Sequence, residues 1–268
     1  MVQSEVAFHS LDGTLLAATL VHPPGARRSV VLVHGGGVTR DEAGFFARLA
    51  DGLAAAGVAS LRFDLRGHGH SGGRQRDLTL AAVANDIRAA TDDIRWATGH
   101  AEVALIGTSF SGGICALVAV SYPVRSLVLL NPLFDYKRRF VDEKPYWHDD
   151  RLDPAAVSEL DTVGFVLHSP TFKLGRALLN EVFHLPVRAA LARVVAPTLI
   201  VHGTEDTFVS LESSRAAAGQ IAAECTLIEV DGAQHGFAVP NDPEYLDPQT
   251  RAWQALVIGS AVDWVIEH

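Results

Sequence analysis

The chain has 268 residues, 48% of them hydrophobic and 20% charged, and carries a formal net charge of −9 from 22 basic and 31 acidic side chains. These figures describe a globular protein, one domain with an insertion or two small domains, that can bury a core without disulfides. They exclude disorder and argue against a nucleic-acid surface, which needs concentrated Lys and Arg. Residues 5–9 and 14–22 read as an antiparallel pair around Leu11-Asp12-Gly13, a turn with glycine where positive φ is needed. Short, nearly all-apolar runs follow at 29–33, 58–63, 103–106, 127–130, 198–201 and 225–230. Such continuous Val, Ile and Leu runs predict strands buried on both faces of a parallel sheet. Helical patterns lie between them at 41–56, 79–97, 111–122, 211–223 and 249–267, with Asp77 as an N-cap candidate for the second. Strand alternating with helix implies an α/β fold with helices on both sheet faces.

One interval breaks this rhythm. From Pro132 to Pro197 the chain runs about 65 residues between two strands, far more than a crossover needs. No Gly/Ser-rich linker flanks it, so the economical division is a core of residues 1–132 and 197–268 with a helical cap inserted at 133–196. No apolar stretch approaches the ~20 residues of a membrane helix, and residues 1–9, with Glu5, alternate like a strand rather than a leader. Cys115 and Cys225 each fall in an apolar run and read as buried free thiols, hence a reducing, cytoplasmic compartment.

The central chemical signal is the segment from Val103 to Gly113, which contains Gly107-Thr108-Ser109-Phe110-Ser111. A buried strand ends here and a helix begins, so Ser109 sits on the sharp turn between them. Such a turn strains its central residue and demands small neighbours two positions away, here Gly107 and Ser111. The pattern departs from G-x-S-x-G at its fifth position. The turn would project the Ser109 hydroxyl from the sheet edge, beside the free N–H groups of a helix N-terminus. A serine needs a base, and the base an orienting carboxylate. Asp206 follows the strand ending at Val201, and His235 follows the strand ending at Val230. Ser109, Asp206 and His235 thus occur in the order nucleophile, acid, base, each beyond the C-terminal end of a parallel strand, where open α/β sheets bind ligands. Asp135, just past the strand at 127–130, is the rival acid. His34-Gly35-Gly36-Gly37 follows another strand, and its glycines let backbone approach a ligand. Gly36 N–H and Phe110 N–H are the candidate oxyanion donors, with His34 a structural hydrogen-bonder. His68, His70 and Asp64 lie in one glycine-rich turn and are not read as a metal site.

Together with Phe63-Asp64-Leu65-Arg66-Gly67-His68-Gly69-His70-Ser71, these motifs resemble the α/β-hydrolase superfamily over nearly the whole chain outside the insertion. Within it, the chain resembles cinnamoyl/feruloyl esterases and acyl-thioesterase-like serine hydrolases. The resemblance implies an eight-stranded sheet, a Ser-His-Asp triad, an acyl-enzyme intermediate and no cofactor or metal. It also implies that Asp64 and Arg66 brace the loop beside the oxyanion turn. The expected activity is hydrolysis of a carboxylic ester or thioester of an apolar, aryl or medium-chain acyl group. An acyltransferase or cyclase with another acceptor, and a non-catalytic ligand-binding protein on the same fold, are the alternatives. Aromatic residues of the insertion, notably Phe134, Tyr136 and Trp147, are the substrate-binding candidates. Lys137-Arg138-Arg139 is a solvated charge run or, for a coenzyme A or carrier-bound substrate, a phosphate seat. The expected partner is a small-molecule acyl ester or thioester, not a nucleic acid or a membrane.

Overall fold

The structure, a computed structural model, describes residues 2–268. It opens with the expected antiparallel pair, β1 (Val2–His9) and β2 (Leu15–His22), in register from Val2–His22 to His9–Leu15. Next come β3 (Arg28–Val33), β4 (Val58–Phe63), β5 (Val103–Thr108) and β6 (Leu127–Leu130). β7 (Trp147–His148) and β8 (Arg151–Leu152) form one small hairpin, and β9 (Val166–Ser169) and β10 (Phe172–Leu174) another. β11 (Thr198–Gly203) and β12 (Cys225–Val230) return to the main sheet. That sheet has eight strands in the order β1-β2-β4-β3-β5-β6-β11-β12. Only the β1–β2 and β2–β4 pairs are antiparallel.

The central strands are apolar because both faces are covered. Every residue of β4, β5, β6 and β11 is buried. β12 departs from this expectation. It is the edge strand, with Thr226 and Glu229 exposed and Cys225 only half-buried. An apolar run alone does not distinguish a central strand from an edge one, because position in the sheet order decides which face is covered.

Among the described residues eight α-helices accompany the strands: α1 (Phe45–Ala55), α2 (Leu80–Thr98), α3 (Phe110–Ser121), α4 (Pro154–Thr162), α5 (Arg176–Glu181), α6 (Val187–Ala190), α7 (Leu211–Ala218) and, after the last strand, α8 (Pro248–Glu267). One core layer joins α1 and α8 to the sheet through Phe46, Leu49, Leu53, Val257 and Val265. The other joins α2, α3 and the 133–196 segment through Ile87, Ile94, Ile114, Phe140 and Phe172. α1 starts four residues later than its sequence pattern, since Glu42, Ala43 and Gly44 adopt φ of 39°, 49° and 78°. Left-handed residues cannot continue a right-handed helix. α2 is capped by Thr79, whose side chain accepts from Ala82 N–H at 3.0 Å, and not by Asp77, which pairs with Arg74. The inserted segment is not purely helical, because its two hairpins and a π-helical turn at Arg138–Asp142 share it with three short helices. It is fastened to the rest by Glu181, which accepts from Leu80 and Ala81 N–H at the start of α2.

Candidate active site

Ser109 occupies the turn between β5 and α3 with φ 48° and ψ −119°. A non-glycine residue there is strained by about 1–3 kcal/mol and persists only when its surroundings over-determine it. They do here: Ser109 N–H donates to Leu130 O at 2.9 Å, and its carbonyl accepts from Gly112 and Leu133 N–H at 3.0 and 2.9 Å. A side chain at Gly107 would place its Cβ 2.6 Å from Cys115 Sγ, so the turn tolerates only glycine at that position. Ser111, the other small neighbour, is fully buried. Its hydroxyl lies 2.7 Å from Val33 O and 3.0 Å from Thr108 O, so it is spent on the backbone and faces away from any substrate.

Ser109 Oγ lies 2.9 Å from His235 Nε2, and His235 Nδ1 lies 2.7 Å from Asp206 Oδ2. The three residues, 97 and 29 positions apart along the chain, meet because β5, β11 and β12 end at one edge of a parallel sheet. The Asp206 side chain is fully buried, and that burial would push its carboxyl up. The His202 ring, its Nε2 3.4 Å from Oδ2, with hydrogen bonds from His235 and Val209 N–H, outweighs it and holds the carboxyl well below the usual range. Phe208 and Val209 N–H also donate to Asp206 Oδ1, at 2.8 and 2.9 Å. An anion at Oδ2 requires the proton on Nδ1 of His235, which leaves Nε2 free to accept from the serine hydroxyl. That polarity suits proton removal from Ser109 and its return to a leaving group. The rival Asp135 turns elsewhere, its Oδ1 accepting from Arg138 N–H at 3.0 Å.

The His34–Gly37 loop stands beside the serine. A Cβ at Gly35 would lie 3.2 Å from Ser109 Cβ, and one at Gly36 would lie 2.6 Å from the Phe172 ring. Gly36 therefore lies against Phe172 with room for no side chain, and Phe110 opens α3, where N–H groups are free of helical partners. Leu65 N–H donates to His34 Nε2 at 2.9 Å, so His34 Nδ1 carries the proton and donates to Gly35 O at 2.7 Å. Burial pushes this imidazole down to about 3, keeping it a neutral strut. Gly37 N–H donates to His68 Nε2 at 3.0 Å, so His68 braces the same loop. Asp64 is fully buried and accepts from Arg40 N–H, the Arg40 guanidinium and His70 N–H. Arg66 pairs with Asp86 and Asp12.

A family model described as serine aminopeptidase, S33, matches residues 24–244. The chain belongs to this family. As an S33-family hydrolase it is 27% identical over 296 residues to a monoacylglycerol lipase of Mycolicibacterium smegmatis, an alignment spanning 99% of this chain and 98% of that protein. It is 30% identical over 249 residues to an uncharacterized protein of Mycobacterium tuberculosis, spanning 91% and 74%. Among solved structures, Est1E from Butyrivibrio proteoclasticus with ferulic acid bound is similar with a TM-score of 0.78 at 23% identity, over 96% of this chain and 98% of that one. DcsB in complex with its substrate analogue is similar with a TM-score of 0.72 at 17% identity, over 97% and 99%. These likenesses identify the α/β-hydrolase fold.

Of the aromatic candidates in the S33-family chain, Phe134 and Tyr136 line a cavity of about 500 Å³ together with Phe183. Phe134 and Tyr136 are buried, and the Tyr136 hydroxyl donates to Phe110 O at 2.5 Å, which fastens the start of α3. The half-buried Trp147 packs on Phe183 with ring centroids 5.6 Å apart. Phe172 reaches the His34–Gly37 loop and packs on Phe110 with centroids 5.1 Å apart. Phe208 tilts against the His235 ring at 5.3 Å. A cavity of about 530 Å³, lined by Arg139, Asp206 and Phe208 among others, opens beside the acid. Phe172 and Phe208 carry no motif, whereas His202, 3.4 Å from Asp206 Oδ2, opens the His202-Gly203-Thr204-Glu205-Asp206 segment. Lys137, Arg138 and Arg139 pair with Asp142, Asp150 and Glu143. Among the described residues no helix is long and apolar enough to cross a membrane.

Proposed function

We propose that the protein is a serine esterase that hydrolyses a carboxylic ester of an apolar acyl group through an acyl-enzyme on Ser109. One observation carries this reading: the Ser109–His235–Asp206 hydrogen-bonded chain, with an Asp206 carboxyl that stays anionic. Ser109 Oγ attacks the acyl carbon, its proton passes to His235 Nε2, and the alcohol leaves with that proton. Water then repeats the sequence and releases the acid. The Gly36 and Phe110 N–H groups would hold the oxyanion, each donor worth about 3 kcal/mol of barrier. Written this way, the reaction draws on no cofactor. Residues 133–196 would act as the lid, with Phe172 and Phe208, more than Phe134, Tyr136 and Trp147, facing the acyl group. The lipase relative and the aromatic acid held by Est1E make acylglycerols and aryl esters the first substrates to try. The pairing of the basic run at 137–139 with its own carboxylates supports an ester over a phosphate-bearing thioester. The free thiols of Cys115 and Cys225 fit a reducing, cytoplasmic location.

The test is fluorophosphonate labelling beside a series of p-nitrophenyl esters, monoacylglycerols and acyl thioesters of increasing length. Ser109→Ala should abolish labelling and lower ester turnover by about 10⁶-fold. Labelling that persists in Ser109→Ala overturns the reading. Turnover only in the presence of an alcohol or amine acceptor would make it a transferase.

A further inference from the structure

The Ser109–His235 pair lines a cavity of about 20 Å³ whose wall also contains Glu42, Thr108, Asn131 and Phe237. Two oxygens of that wall, Glu42 Oε2 and Thr108 Oγ1, are buried with no hydrogen-bond partner among the described residues. Buried polar atoms are nearly always satisfied. A cavity above about 10–15 Å³ with two or more polar partners has room for one water. The wall is also where the backbone is strained. Glu42, Ser109, Asn131 and Phe237 are four of the nine non-glycine residues with left-handed φ. Strain gathered around one recess signals a geometry held for function rather than for stability.

Glu42 sits between the two loops that matter. Its Oε1 lies 3.4 Å from the Tyr245 hydroxyl. That hydroxyl lies 2.4 Å from where a Cβ on Gly236, the residue after His235, would be. Burial pushes the Glu42 carboxyl up to about 7, against the Tyr245 hydroxyl and Gly35 N–H, which both favour the anion. The charged and titratable groups around it come from three elements. Arg48 on α1 reaches Gln254 of α8, whose amide donates to Gly236 O at 2.9 Å. Arg251 of α8 acts on Arg48, and Asp242 acts on Tyr245 from the loop before α8. His235 faces the same cavity.

We propose that Glu42 is a positioning residue: with one water held also by Thr108, its carboxylate anchors the His235 loop against the oxyanion loop and stabilises the imidazolium that forms as Ser109 reacts. The proposal rests on Ser109 and His235 being the reacting pair. The ionised carboxylate is the working form, so reactivity falls as pH drops through about 7.

Inactivation by a fluorophosphonate reads this without knowing the substrate. Ser109 Oγ bonds to phosphorus, the P–F bond breaks, fluoride leaves, and the serine proton passes to His235. The second-order rate constant is measured from pH 5 to 9 for the wild type, E42Q, E42D and T108V. The wild-type acid limb should be steeper than that of E42Q, which should also be about tenfold slower at pH 8. E42D should keep the wild-type steepness, and T108V should lose about threefold with the steepness kept. If E42Q does not fold, E42D and T108V decide. An E42Q limb as steep as the wild type's, or an E42Q curve that overlays the wild type, overturns the proposal alone. No labelling of Ser109 in the wild type overturns it together with the esterase reading.

Discussion

At the residue scale, two serines and two aspartates near the site have opposite fates that local sequence does not separate. Ser109 stands on a strained turn with its hydroxyl against His235, whereas Ser111 is consumed by Val33 and Thr108 backbone. Ser111→Ala should therefore keep fluorophosphonate labelling yet lose about 1–2 kcal/mol of stability, because buried backbone groups lose their partner. A labelled Ser111 in the Ser109→Ala protein would show the roles reversed. Asp206 and Asp135 differ in the same way. Asp206→Asn should cost about 10⁴-fold in kcat by presenting the wrong imidazole tautomer. Asp135→Asn should leave kcat within about twofold, since its oxygen serves only Arg138 N–H. Steady-state kinetics on one p-nitrophenyl ester settles the ranking, and a reversed order would move the acid to the end of β6.

At the element scale, α2 shows how a helix end can belong to a distant segment. Thr79 caps it locally, while Glu181 of α5, about a hundred residues on, accepts from the next two N–H groups. A carboxylate at a helix N-terminus is stabilised by the free N–H groups and the dipole. Thr79→Ala should cost about 1 kcal/mol. Glu181→Ala should cost a similar amount and also loosen the 133–196 segment. The readout is urea unfolding for the first effect and the rate of limited proteolysis within 133–196 for the second. Equal proteolysis of wild type and Glu181→Ala would mean that Phe140 and Phe172, packed in the same core layer, hold the segment without the ion–helix contact.

For the whole molecule, buried imidazoles set the response to acid. Burial pushes His34 and His168 down to about 3 and lowers His68. Their ordinary value is near 6.5, so below it the unfolded chain binds protons that the folded one refuses. Stability from these three residues is complete above about 6.5 and is lost as pH falls toward 3. Glu42 acts in the opposite sense. Its raised carboxyl takes up a proton in the folded state first, so stability declines as pH rises from about 4.5 to 7. Three groups against one give a melting temperature that climbs by several degrees from pH 5 to 7. Calorimetry at four pH values checks it, and a flat profile would mean that the histidines gain water when protonated. E42Q, which removes the opposing group, should melt higher than the wild type at pH 8.

The apolar runs, helix periods and glycine punctuation were readable along the chain because they reflect local backbone preference and the face each residue shows. They yielded the antiparallel start, the alternation of strand and helix, and the strand ends that carry Ser109, Asp206 and His235. The small residues at 107 and 111 were legible for the same reason, since a sharp turn excludes side chains whatever surrounds it. Other features depend on partners far away in the chain. β12 looks like β11 in sequence but lies at the edge, and only sheet order exposes Glu229 and half of Cys225. Lys137-Arg138-Arg139 reads as free charge until Asp142, Glu143 and Asp150 fold back onto it. Phe172, Phe208 and Glu42 belong to no motif, because their roles arise from rings and a carboxylate brought to Gly36, His235 and Ser109 across long loops. Propensity is written residue by residue, whereas burial and hydrogen-bond partnership are properties of the closed chain, and those decided which aromatic, which acid and which base face the site.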